Sequence, residues 1–394
     1  MKIALVHDWL IHRGGAEGVL KVLLSIYPDA DVFTLVCGMN GNQLSELGIH
    51  KPVKTSFIQR LPFAVKKYRN YLPLMPLAIQ QLELQDYDLI ISSNFCVAKG
   101  VITGPDQLHV CYCHSPVRYA WDLQFQYLKE SGCEKGVKSW LVRYFLNGLR
   151  DFDARSALAV DKFIANSTFI QRRIRKCYRR ESVVIYPPVE TTEFTLHPHK
   201  EDYYLVCSRL VQYKKVGLII DAFNRMPDKK LLVLGDGPDY AQLVKKAGPN
   251  TQLMGYVSRA TLIEKMQKAK AFIHAAEEDF GIAPVEAQAC GTPVIGYGKG
   301  GLLDTVAEGK TGVYFDEHTA ESLCIAIQRF EKTQLLTPQQ IASFASSFSE
   351  ERFKADFIYA VEQWLHEHRK SCASKATEFV SKTQIKNLDR QASQ

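Results

Sequence analysis

Short apolar segments alternate with longer amphipathic segments along almost the whole chain. The apolar segments have the length of buried strands, and the amphipathic segments between them have the length of helices. This alternation predicts parallel sheets with helices on both faces. The predicted strands of the first half are residues 2–6, 31–35, 88–92, 108–113, 162–166 and 182–186. Those of the second half are residues 203–208, 230–235, 251–255, 271–276, 292–297 and 312–315.

The pattern also predicts where one domain ends and the next begins. A chain of 394 residues favours two domains, and residues 186–204 contain three prolines and many polar residues before a new strand starts. We therefore predict a doubly wound α/β domain at residues 1–187 and a second one at 188–350. A strong helix at 351–370 is expected to pack back across the domains, and the polar tail 371–394 is expected to be disordered.

Composition restricts the class of protein. The hydrophobic share is 46% and the charged share 23%, which are typical of a soluble globular protein. No apolar run reaches the roughly 18 residues that span a bilayer, and the N-terminus begins a strand and lacks the features of a signal peptide. The ten cysteines are scattered, as expected for reduced thiols in a cytoplasmic protein. A net charge of +7 is compatible with an anionic ligand or an anionic membrane surface.

Two glutamates in the segment EEDFGIAPVEAQACGTPVI, residues 277–295, are candidate site residues. Glu278 is predicted in the loop that leaves a parallel strand, and Glu286 in the first turn of the next helix, beside Pro284. Ligands of open α/β sheets bind at this strand-to-helix edge. The alternative is that Glu278 is a loop charge and Glu286 only stabilises the helix dipole, and the spacing alone favours that alternative.

Glycines and cations at two other strand ends are candidates for binding phosphate. Gly14 and Gly15 open the first helix, where backbone N–H groups can approach a phosphate, although close helix–strand packing explains them equally well. Arg209 and Lys214 follow the first strand of the second domain and could supply a guanidinium and a point charge to a diphosphate. A solvated loop is the alternative for these two cations.

His114 directly follows the predicted strand 108–113. A lone histidine is more often structural than functional. Its neighbours Arg118, Tyr119, Trp121 and Asp122 have the polar and aromatic character of a sugar-contacting surface, and they are also common at ordinary helix starts.

The order of these motifs identifies a family resemblance. The chain contains GGAE at 14–17, SRLVQYK at 208–214, GDGP at 235–238, the glutamate pair at 278–286 with its following EAQACGTPVI, and GGLLDTVAEGKTG at 300–312. In this order and spacing they resemble the retaining, GT-B-fold glycosyltransferases of family 4, over nearly all of residues 1–370. CHSPVRYAWD at 113–122 and IANS at 164–167 resemble the bacterial O-antigen and exopolysaccharide mannosyltransferases of lipopolysaccharide biosynthesis, which use GDP-mannose.

The resemblance implies two Rossmann-like domains that face each other across a cleft, and a role for each candidate. Glu286 is implied to bind the donor ribose and Glu278 the hydroxyls of the transferred sugar. The implied catalytic residues are His114, Arg209, Lys214 and Glu278. The implied donor-binding residues are Gly14, Gly15, Arg209, Lys214, Phe280, Gly281, Ile282 and Glu286. The sequence departs from the family at Lys215, where relatives often carry glycine.

No metal or other cofactor is predicted, since Arg209 and Lys214 can stabilise the charge that develops on a diphosphate leaving group. Two Asp-x-Asp strings occur, at 86–88 and 151–153. The first precedes its strand and so lies at the wrong end of it. The second lies in a helical stretch, where positions two apart point to different faces. We interpret both strings as structural.

These observations predict a hexosyltransferase that moves mannose from GDP-mannose to a lipid-linked oligosaccharide or polysaccharide precursor, with retention of configuration. A UDP-sugar-dependent enzyme of the same family and a non-catalytic relative that binds a nucleotide sugar are the alternatives. A nicotinamide dehydrogenase would need GxGxxG, which is absent after the first strand. The basic run QRRIRKCYRR at 171–180 matches no known nucleic-acid module, and no nucleic-acid partner is expected.

A basic and aromatic segment at residues 57–79 bears on location. Its prolines divide it into short helical pieces, and its cations and aromatic residues could lie on an anionic leaflet. The alternative is that its apolar residues pack under the first sheet. Because the resembling enzymes extend sugars on a polyprenyl diphosphate lipid, we expect a cytoplasmic protein that binds the inner face of the plasma membrane peripherally.

Overall fold

The structure is a computed structural model that describes residues 1–392, with the side chains of all of these except Glu130 and residues 373–392. The chain forms two compact units. The first comprises residues 1–164, 173–183 and the chain from Lys354 onward, and the second comprises residues 165–172 and 184–353. The chain therefore passes between units a few residues before the predicted boundary at 187. The short segment 165–172, predicted within the first domain, belongs to the second unit.

The first sheet has seven strands. Two neighbouring strands, Leu89–Asn94 and Leu108–Cys113, are buried along their whole length because every one of their residues faces a covered side. The strands are β1 (Ile3–His7), β2 (Asp31–Thr34), β3 (Lys54–Thr55), β4 (Leu89–Asn94), β5 (Leu108–Cys113), β6 (Lys162–Ala165) and β7 (Val183–Val184). Their order is β3-β2-β1-β4-β5-β6-β7, and the pairs around β1, β2 and β4 are parallel. All six predicted strands are confirmed. The two-residue β3 is too short to produce an apolar pattern.

The first helix of this unit buries an apolar face against the sheet. In this helix, Val19, Leu20, Leu23 and Leu24 recur at helical spacing and are buried. The α-helices are α1 (Gly15–Ile26), α2 (Gly41–Glu46), α3 (Met75–Ile79), α4 (Gln124–Glu130), α5 (Gly136–Ser156) and α6 (Thr168–Tyr178). Short 3-10 helices span Phe57–Arg60, Tyr68–Leu74, Ala98–Gly100, Arg118–Ala120 and Ala157–Ala159.

The second sheet has six strands, β8 (Tyr204–Cys207), β9 (Leu231–Leu234), β10 (Thr251–Gly255), β11 (Ala271–His274), β12 (Val294–Tyr297) and β13 (Gly312–Phe315). They are all paired in parallel, in the order β10-β9-β8-β11-β12-β13. The helices are α7 (Val216–Asn224), α8 (Tyr240–Lys246), α9 (Arg259–Lys268), α10 (Ile282–Ala289), α11 (Leu302–Thr305), α12 (Ala320–Lys332) and α13 (Pro338–Ala345), with 3-10 helices at Gln212–Lys214 and Ser346–Phe348. All six predicted strands are confirmed. Both units are doubly wound, with a strand-order reversal beside β1 and beside β8.

The last helix, α14 (Glu350–Ala392), returns to the first unit. Phe357 and Val361 are buried, and the Phe357 ring packs at 6.5 Å from that of Tyr27. Lys162 lies over the Trp364 ring at 5.7 Å. The helix continues past residue 370, where the sequence predicted its end. The predicted disorder of 371–394 stays a prediction. It falls largely outside the described part of the chain, because the side chains of 373–392 and the whole of 393–394 are not described.

Candidate functional site

Glu278 lies in the loop between β11 and α10, as predicted, and it is paired with a cation. The Lys214 ammonium donates a hydrogen bond to its carboxylate, and the two side chains are only 17% and 20% exposed. His274 Nε2 lies 3.9 Å from the other carboxylate oxygen. Burial, together with the nearby Lys214 charge, lowers the pKa of His274 to about 3, so that this imidazole is neutral near pH 7. Two predicted site residues, Lys214 and Glu278, are thus brought into direct contact.

The backbone around Lys214 explains the departure at Lys215. Lys214 ends a 3-10 turn, and Lys215 is the N-cap of α7 with a φ of 56°. This left-handed region favours glycine, which relatives often carry there. The turn therefore has the shape expected of the family, although the residue differs.

Arg209 lies two residues after β8 and is exposed. Among the described residues its guanidinium makes no ion pair. The carboxyl end of β8 therefore presents one cation bound to Glu278 and another whose donors are accessible to an anion. A bidentate guanidinium of this kind suits a phosphate group.

The predicted position of Glu286 is wrong by one turn. α10 begins at Ile282, so that Glu286 is its fifth residue, and its first turn contains no acid. The helix starts two residues before Pro284 because the third helical position also needs no N–H donor. Glu286 therefore gains less from the N-terminal dipole than predicted, and the alternative that it only stabilises the helix is weakened.

The carboxylate of Glu286 lies in an acidic cluster around one arginine. Arg259 lies 2.9 Å from Glu193, 3.6 Å from Glu190 and 3.8 Å from Glu286, and it covers the Phe194 ring at 4.8 Å. Burial raises the pKa of Glu286 to about 7, while Arg259 opposes the shift and the two other glutamates add to it. Sequence reasoning missed Arg259, which lies on the first turn of α9 and follows the strand β10 at the same edge of the sheet.

The chain between the two glutamates combines a core side chain with a glycine at positive φ. Phe280 is 4% exposed, and its ring packs against Tyr186 and Phe348 at 5.8 Å and 5.6 Å. Gly281 has a φ of 95° and begins the helix that Ile282 continues. Phe280 therefore can offer a ligand only its backbone, which is the role that the resemblance implies for Phe280, Gly281 and Ile282.

Two further motifs form hydrogen bonds with the loop that contains Glu278 or with each other. Gly301 donates its N–H to Glu278 O at 2.8 Å, and a Cβ on Gly301 would lie 2.3 Å from Asp279 O. Ser167 Oγ donates to the same Asp279 carbonyl. Asp304 accepts from the N–H of Thr168 at 2.6 Å and from its hydroxyl. The GGLLDT and IANS motifs therefore position the glutamate loop, a structural role that their spacing in the sequence does not reveal.

In the first unit, Gly14 and Gly15 begin α1 as predicted. A Cβ on Gly14 would lie 3.0 Å from Glu17 Oε2. Glu17 is 7% exposed and extends toward β1, where its Oε1 lies 3.5 Å from His7 Nε2. Close packing of the glycine turn against the Glu17 carboxylate is therefore present, and whether the turn also binds phosphate stays a prediction.

His114 lies at the carboxyl end of β5 in a chain of polar side chains. Its Nε2 lies 2.8 Å from Ser93 Oγ, and that hydroxyl lies 3.1 Å from His7 Nδ1. Burial and the neighbouring His7 lower the pKa of His114 to about 3. The sequence located His114 at this edge, but it did not reveal that His114, Ser93, His7 and Glu17 form one connected series.

The residues after His114 have structural partners. The Trp121 indole donates to Asp153 at 2.7 Å, the Tyr119 hydroxyl lies 3.1 Å from Cys96 Sγ, and Arg173 pairs with Asp122. These side chains are held by neighbours in the same unit. These contacts favour the ordinary helix-start interpretation of the three residues, and the expectation that they form a sugar-contacting surface stays a prediction.

A buried acid beside His7 shapes the same edge. Asp8 accepts hydrogen bonds from the four successive backbone N–H groups of residues 95–98 at 2.6–2.9 Å. Burial raises its pKa, and these donors oppose that shift. Asp8 therefore fixes the turn that follows β4, next to the strand position of Ser93. The signal in the sequence was an acid directly after a buried strand.

Both Asp-x-Asp strings have structural partners. Asp153 is fully buried, pairs with Lys99 and accepts from the Tyr178 hydroxyl. Asp88 accepts from the N–H of Lys2 at 2.6 Å. Among the described residues, no group of three or more His, Cys, Asp or Glu side chains could hold a metal ion. The basic run at 171–180 is also partly structural, since Arg173 is buried and Arg180 donates to the carbonyls of Ala157 and Val160.

Residues 57–79 form three short helical pieces, as predicted. Ile58, Tyr68 and Met75 are buried, whereas Phe63 and Leu77 are 68% and 53% exposed. The segment therefore packs under the sheet, as the alternative predicts, and it also exposes apolar side chains, while its binding to a membrane stays a prediction. In the part of the chain that the structure describes, no helix is long and apolar enough to cross a bilayer.

Two family models cover most of the chain. Residues 13–193 match the Glycosyltransferase Family 4 model, and residues 190–348 match the model of Glycosyl transferases group 1. The chain is thus similar to a family 4 glycosyltransferase model in its first part and to a group 1 glycosyltransferase model in its second part. The join at 190–193 lies close to the predicted boundary and to the passage between the two units.

Several known proteins are similar to this chain. An uncharacterized glycosyltransferase of Methanocaldococcus jannaschii is 27% identical over 41% of this chain and 47% of its own length. The N-acetyl-alpha-D-glucosaminyl L-malate synthase of Bacillus anthracis is 31% identical over 27% of this chain and 29% of its own length. The matched residues thus span about half or less of these relatives.

The fold is confirmed by a solved structure. The Anabaena protein Alr3699/HepE, crystallised in complex with UDP, superimposes with a TM-score of 0.68 at 19% identity. The match covers 92% of this chain and all of that one. The two parallel-sheet α/β domains therefore have the GT-B fold, as the sequence predicted.

Proposed function

We propose that this chain transfers a hexose from a nucleotide diphosphate sugar to an acceptor hydroxyl. The observation that carries the proposal is the edge of the second sheet, where the Lys214–Glu278 pair, the accessible Arg209 and the mostly buried Glu286 follow the carboxyl ends of parallel strands. Cations there suit a diphosphate, and carboxylates suit sugar and ribose hydroxyls. The roles of His114, Gly14 and Gly15 toward the donor rest on the family resemblance alone.

In the proposed reaction the bond between the anomeric carbon and the diphosphate oxygen breaks, and the acceptor oxygen forms the new bond to that carbon. The electron pair of the broken bond stays on the diphosphate, where Arg209 and Lys214 stabilise the added charge. The acceptor proton passes to a phosphate oxygen of the donor, on the retained face. This balance needs no metal ion, and full turnover in a chelator is the expected result.

We propose mannose from GDP-mannose as the donor, on the support of the CHSPVRYAWD and IANS segments. A UDP-sugar is the second candidate, because the similar Anabaena protein was crystallised with UDP. The deciding experiment measures thermal stabilisation of the full chain by GDP, UDP, GDP-mannose and UDP-glucose. A shift with GDP and GDP-mannose, and a smaller one with the uridine nucleotides, is expected. Equal shifts with both bases, or none with GDP, would remove the case for GDP-mannose.

The proposed acceptor is a lipid-linked glycan, and the first unit offers a surface that fits a membrane. On α5, Val137, Trp140, Leu141, Tyr144 and Phe145 follow helical spacing and are 45–78% exposed. Isolated exposed apolar residues are normal, but a continuous stripe of this kind marks an interaction surface. A groove of about 480 Å³ separates this stripe from the exposed Leu77 of the 57–79 segment.

The positive charge around this surface favours an anionic bilayer as its binding partner. Residues 57–80 contain no acid and four exposed cations, namely Arg60, Lys66, Lys67 and Arg69. The helix α5 and its start add three exposed cations, Lys135, Lys138 and Arg155, and two exposed acids, Glu134 and Asp151, so that the surface as a whole is basic. A symmetric dimer through this face would place like charges opposite each other. Anionic headgroups would instead pair with these cations, while Trp140 and Tyr144 have the amphipathic rings that favour the membrane interface. We therefore propose a cytoplasmic location with peripheral membrane binding.

Turnover tests the proposed reaction directly. Purified full chain is incubated with GDP-mannose and a membrane extract that contains lipid-linked glycans, and release of GDP is followed together with sugar incorporation into lipid. Incorporation that Lys214→Ala abolishes is the expected result. Stabilisation by GDP-mannose with no incorporation into lipid or any soluble glycan would favour the non-catalytic alternative.

A further inference from the structure

The polar series in the first unit determines where hydrogen atoms lie. Ser93 is 1% exposed on β4, and its hydroxyl has His114 Nε2 on one side and His7 Nδ1 on the other. A hydroxyl carries a single hydrogen, so it can donate to only one of these two nitrogen atoms and must accept from the other. The direction of the whole series therefore follows from the state of either imidazole.

Glu17, at one end of the series, determines the direction in which its hydrogen bonds are donated. An ionised carboxylate only accepts hydrogen bonds, so His7 Nε2, 3.5 Å from Glu17 Oε1, carries a hydrogen. A neutral His7 then leaves Nδ1 as an acceptor, and Ser93 must donate to it. The Ser93 oxygen consequently accepts from His114 Nε2–H.

We propose that Glu17, His7 and Ser93 are positioning residues that hold the His114 imidazole in its Nε2–H tautomer. The free Nδ1 lone pair is then the group that His114 presents to a ligand, which makes His114 a hydrogen-bond acceptor for a hydroxyl group such as that of a sugar. This function of the tautomer rests on the proposed sugar transfer, whereas the tautomer itself does not.

The packing around the series supports a fixed ring. His114 donates no second bond to the described residues, and its ring contacts the rings of Phe95 and Tyr112 at 6.1 Å and 5.1 Å between centroids. The lowered pKa of His114 keeps its imidazole neutral at physiological pH, so the neighbouring side chains determine which of the two neutral tautomers it adopts. A protonated His7 would reverse the series and place the hydrogen of His114 on Nδ1, which is a distinct and measurable outcome.

The chain contains a matched control on the same strand. Ser92 Oγ lies 2.8 Å from His109 Nε2, so Ser92 and Ser93 each contact one histidine from neighbouring positions of β4. Ser92→Ala removes a buried serine–histidine contact without altering the series. A change at His114 that is common to both variants would therefore reflect disturbance of the sheet and not the loss of positioning.

The test is NMR of the full chain labelled with ¹⁵N-histidine, with His114 assigned by its loss in His114→Gln. The expected wild-type signals show a protonated Nε2 and an unprotonated Nδ1. In Ser93→Ala and in Glu17→Ala the two tautomers of His114 should become mixed, and in Ser92→Ala they should not. A wild-type Nδ1–H tautomer, or a single unchanged tautomer in Ser93→Ala, would overturn the proposal.

Kinetics separate this proposal from the proposed function. With GDP-mannose as donor, Ser93→Ala should lower kcat about tenfold with little change in KM, since one orienting hydrogen bond is lost, and Ser93→Thr should recover part of it. If wild-type chain shows no turnover with any donor while the tautomer result is as expected, the proposed function fails and the positioning proposal stands. Equal kcat in wild type and Ser93→Ala would refute the proposal that the His114 tautomer contributes to sugar transfer.

Discussion

The Lys214 ammonium binds the Glu278 carboxylate, although the family resemblance implies a different donor group for each of them. The pair is mostly buried, so its two charges attract each other more strongly than those of an exposed surface pair. A diphosphate that binds Lys214 therefore has to compete with Glu278 or share the ammonium with it. Lys214 has three N–H donors, which allows the second arrangement.

Substitution of either cation should remove most turnover and leave the fold intact. In the proposed reaction, each of Arg209→Ala and Lys214→Ala deletes a charge-assisted contact to the developing anion, and the expected cost in the barrier is roughly 2–4 kcal/mol. Initial rates with GDP-mannose measure this. Lys214→Ala should also weaken the position of Glu278, so the double variant Lys214→Ala/Glu278→Ala should lose less than the sum of the single losses.

Lys230→Ala, an exposed lysine outside this edge, is the control for a general loss of charge. Near-wild-type rates in Arg209→Ala or in Lys214→Ala would place the phosphate site elsewhere. Glu278→Ala is expected to lower kcat, whereas Glu286→Ala should mainly raise the dissociation constant of the nucleotide. Normal nucleotide binding and normal turnover in both glutamate variants would refute the proposed roles of Glu278 and Glu286.

The raised pKa of Glu286 predicts a pH dependence of stability. The group titrates near pH 7 in the folded chain and near its ordinary value of 4.5 when unfolded, so the folded chain binds one more proton between these values. The stability of wild type relative to Glu286→Gln should therefore fall as pH rises through this window, by up to about 3 kcal/mol. Thermal unfolding of both proteins at pH 5 and pH 8 measures the difference.

Nucleotide binding should respond to the same titration in the opposite sense. Ionised Glu286 accepts ribose hydroxyl groups more strongly than the neutral acid does. Wild type should bind GDP more tightly above pH 7, and Glu286→Gln should lack this component of the pH profile. Parallel profiles in the two proteins would show that Glu286 does not titrate in this range or does not contact the nucleotide.

The sequence predicted the strands and the strand-edge candidates because buried parallel strands and the loops after them leave local patterns. It could not predict Arg259 beside Glu286, since that contact joins residues 27 positions apart through the fold. The start of α10 was missed for a local reason: proline is tolerated at any of the first helical positions, so Pro284 does not fix which one it occupies.

The polar series of the first unit shows the same limit. His114 was visible at a strand end, but its relation to Ser93 and His7 depends on the order β1-β4-β5, which brings three separate segments side by side. The partners of Trp121 and Asp122 were also not visible, because composition suggests a surface without showing which side chains are near. Segment 165–172 groups with the second unit through Thr168 and Asp304, which are 136 residues apart.

The buried pair of Lys99 and Asp153 should be sensitive to the loss of one member. Both side chains are fully buried, and Trp121 and Tyr178 also donate to Asp153. Lys99→Met leaves an uncompensated carboxylate and should destabilise the first unit by about 3–5 kcal/mol. Denaturant unfolding followed by tryptophan fluorescence measures this loss.

The exposed pair of Arg13 and Glu46, at 3.3 Å, is the matched comparison. Because both partners are more than half exposed, Arg13→Met should change stability by less than about 1 kcal/mol. The double variant Lys99→Met/Asp153→Leu should recover much of the loss, since no charge is then left buried. Equal effects of Lys99→Met and Arg13→Met would contradict the assigned role of the buried pair.

Membrane binding by the α5 stripe can be followed from inside the protein. Trp140 is 67% exposed, whereas Trp9, Trp121 and Trp364 are partly buried. With vesicles that contain phosphatidylglycerol, its emission should shift to shorter wavelength, and high salt should reverse the shift because the cations near the surface each contribute about 1 kcal/mol. Pure phosphatidylcholine vesicles should give little shift. Trp140→Phe should abolish the spectral change while the protein still sediments with the vesicles.

Two sets of substitutions separate the contributions to that binding. Lys66→Glu/Lys67→Glu/Arg69→Glu should reduce sedimentation by removing charge attraction, and Tyr144→Ala/Phe145→Ala should reduce it by removing apolar contact. Tyr359→Ala, which removes an aromatic residue that is 68% exposed on α14, should have no effect. If the charge triple variant alone released the protein, the 57–79 segment would act without α5. If wild type failed to sediment at low salt with any anionic vesicle, membrane binding would be refuted and a soluble acceptor would be favoured.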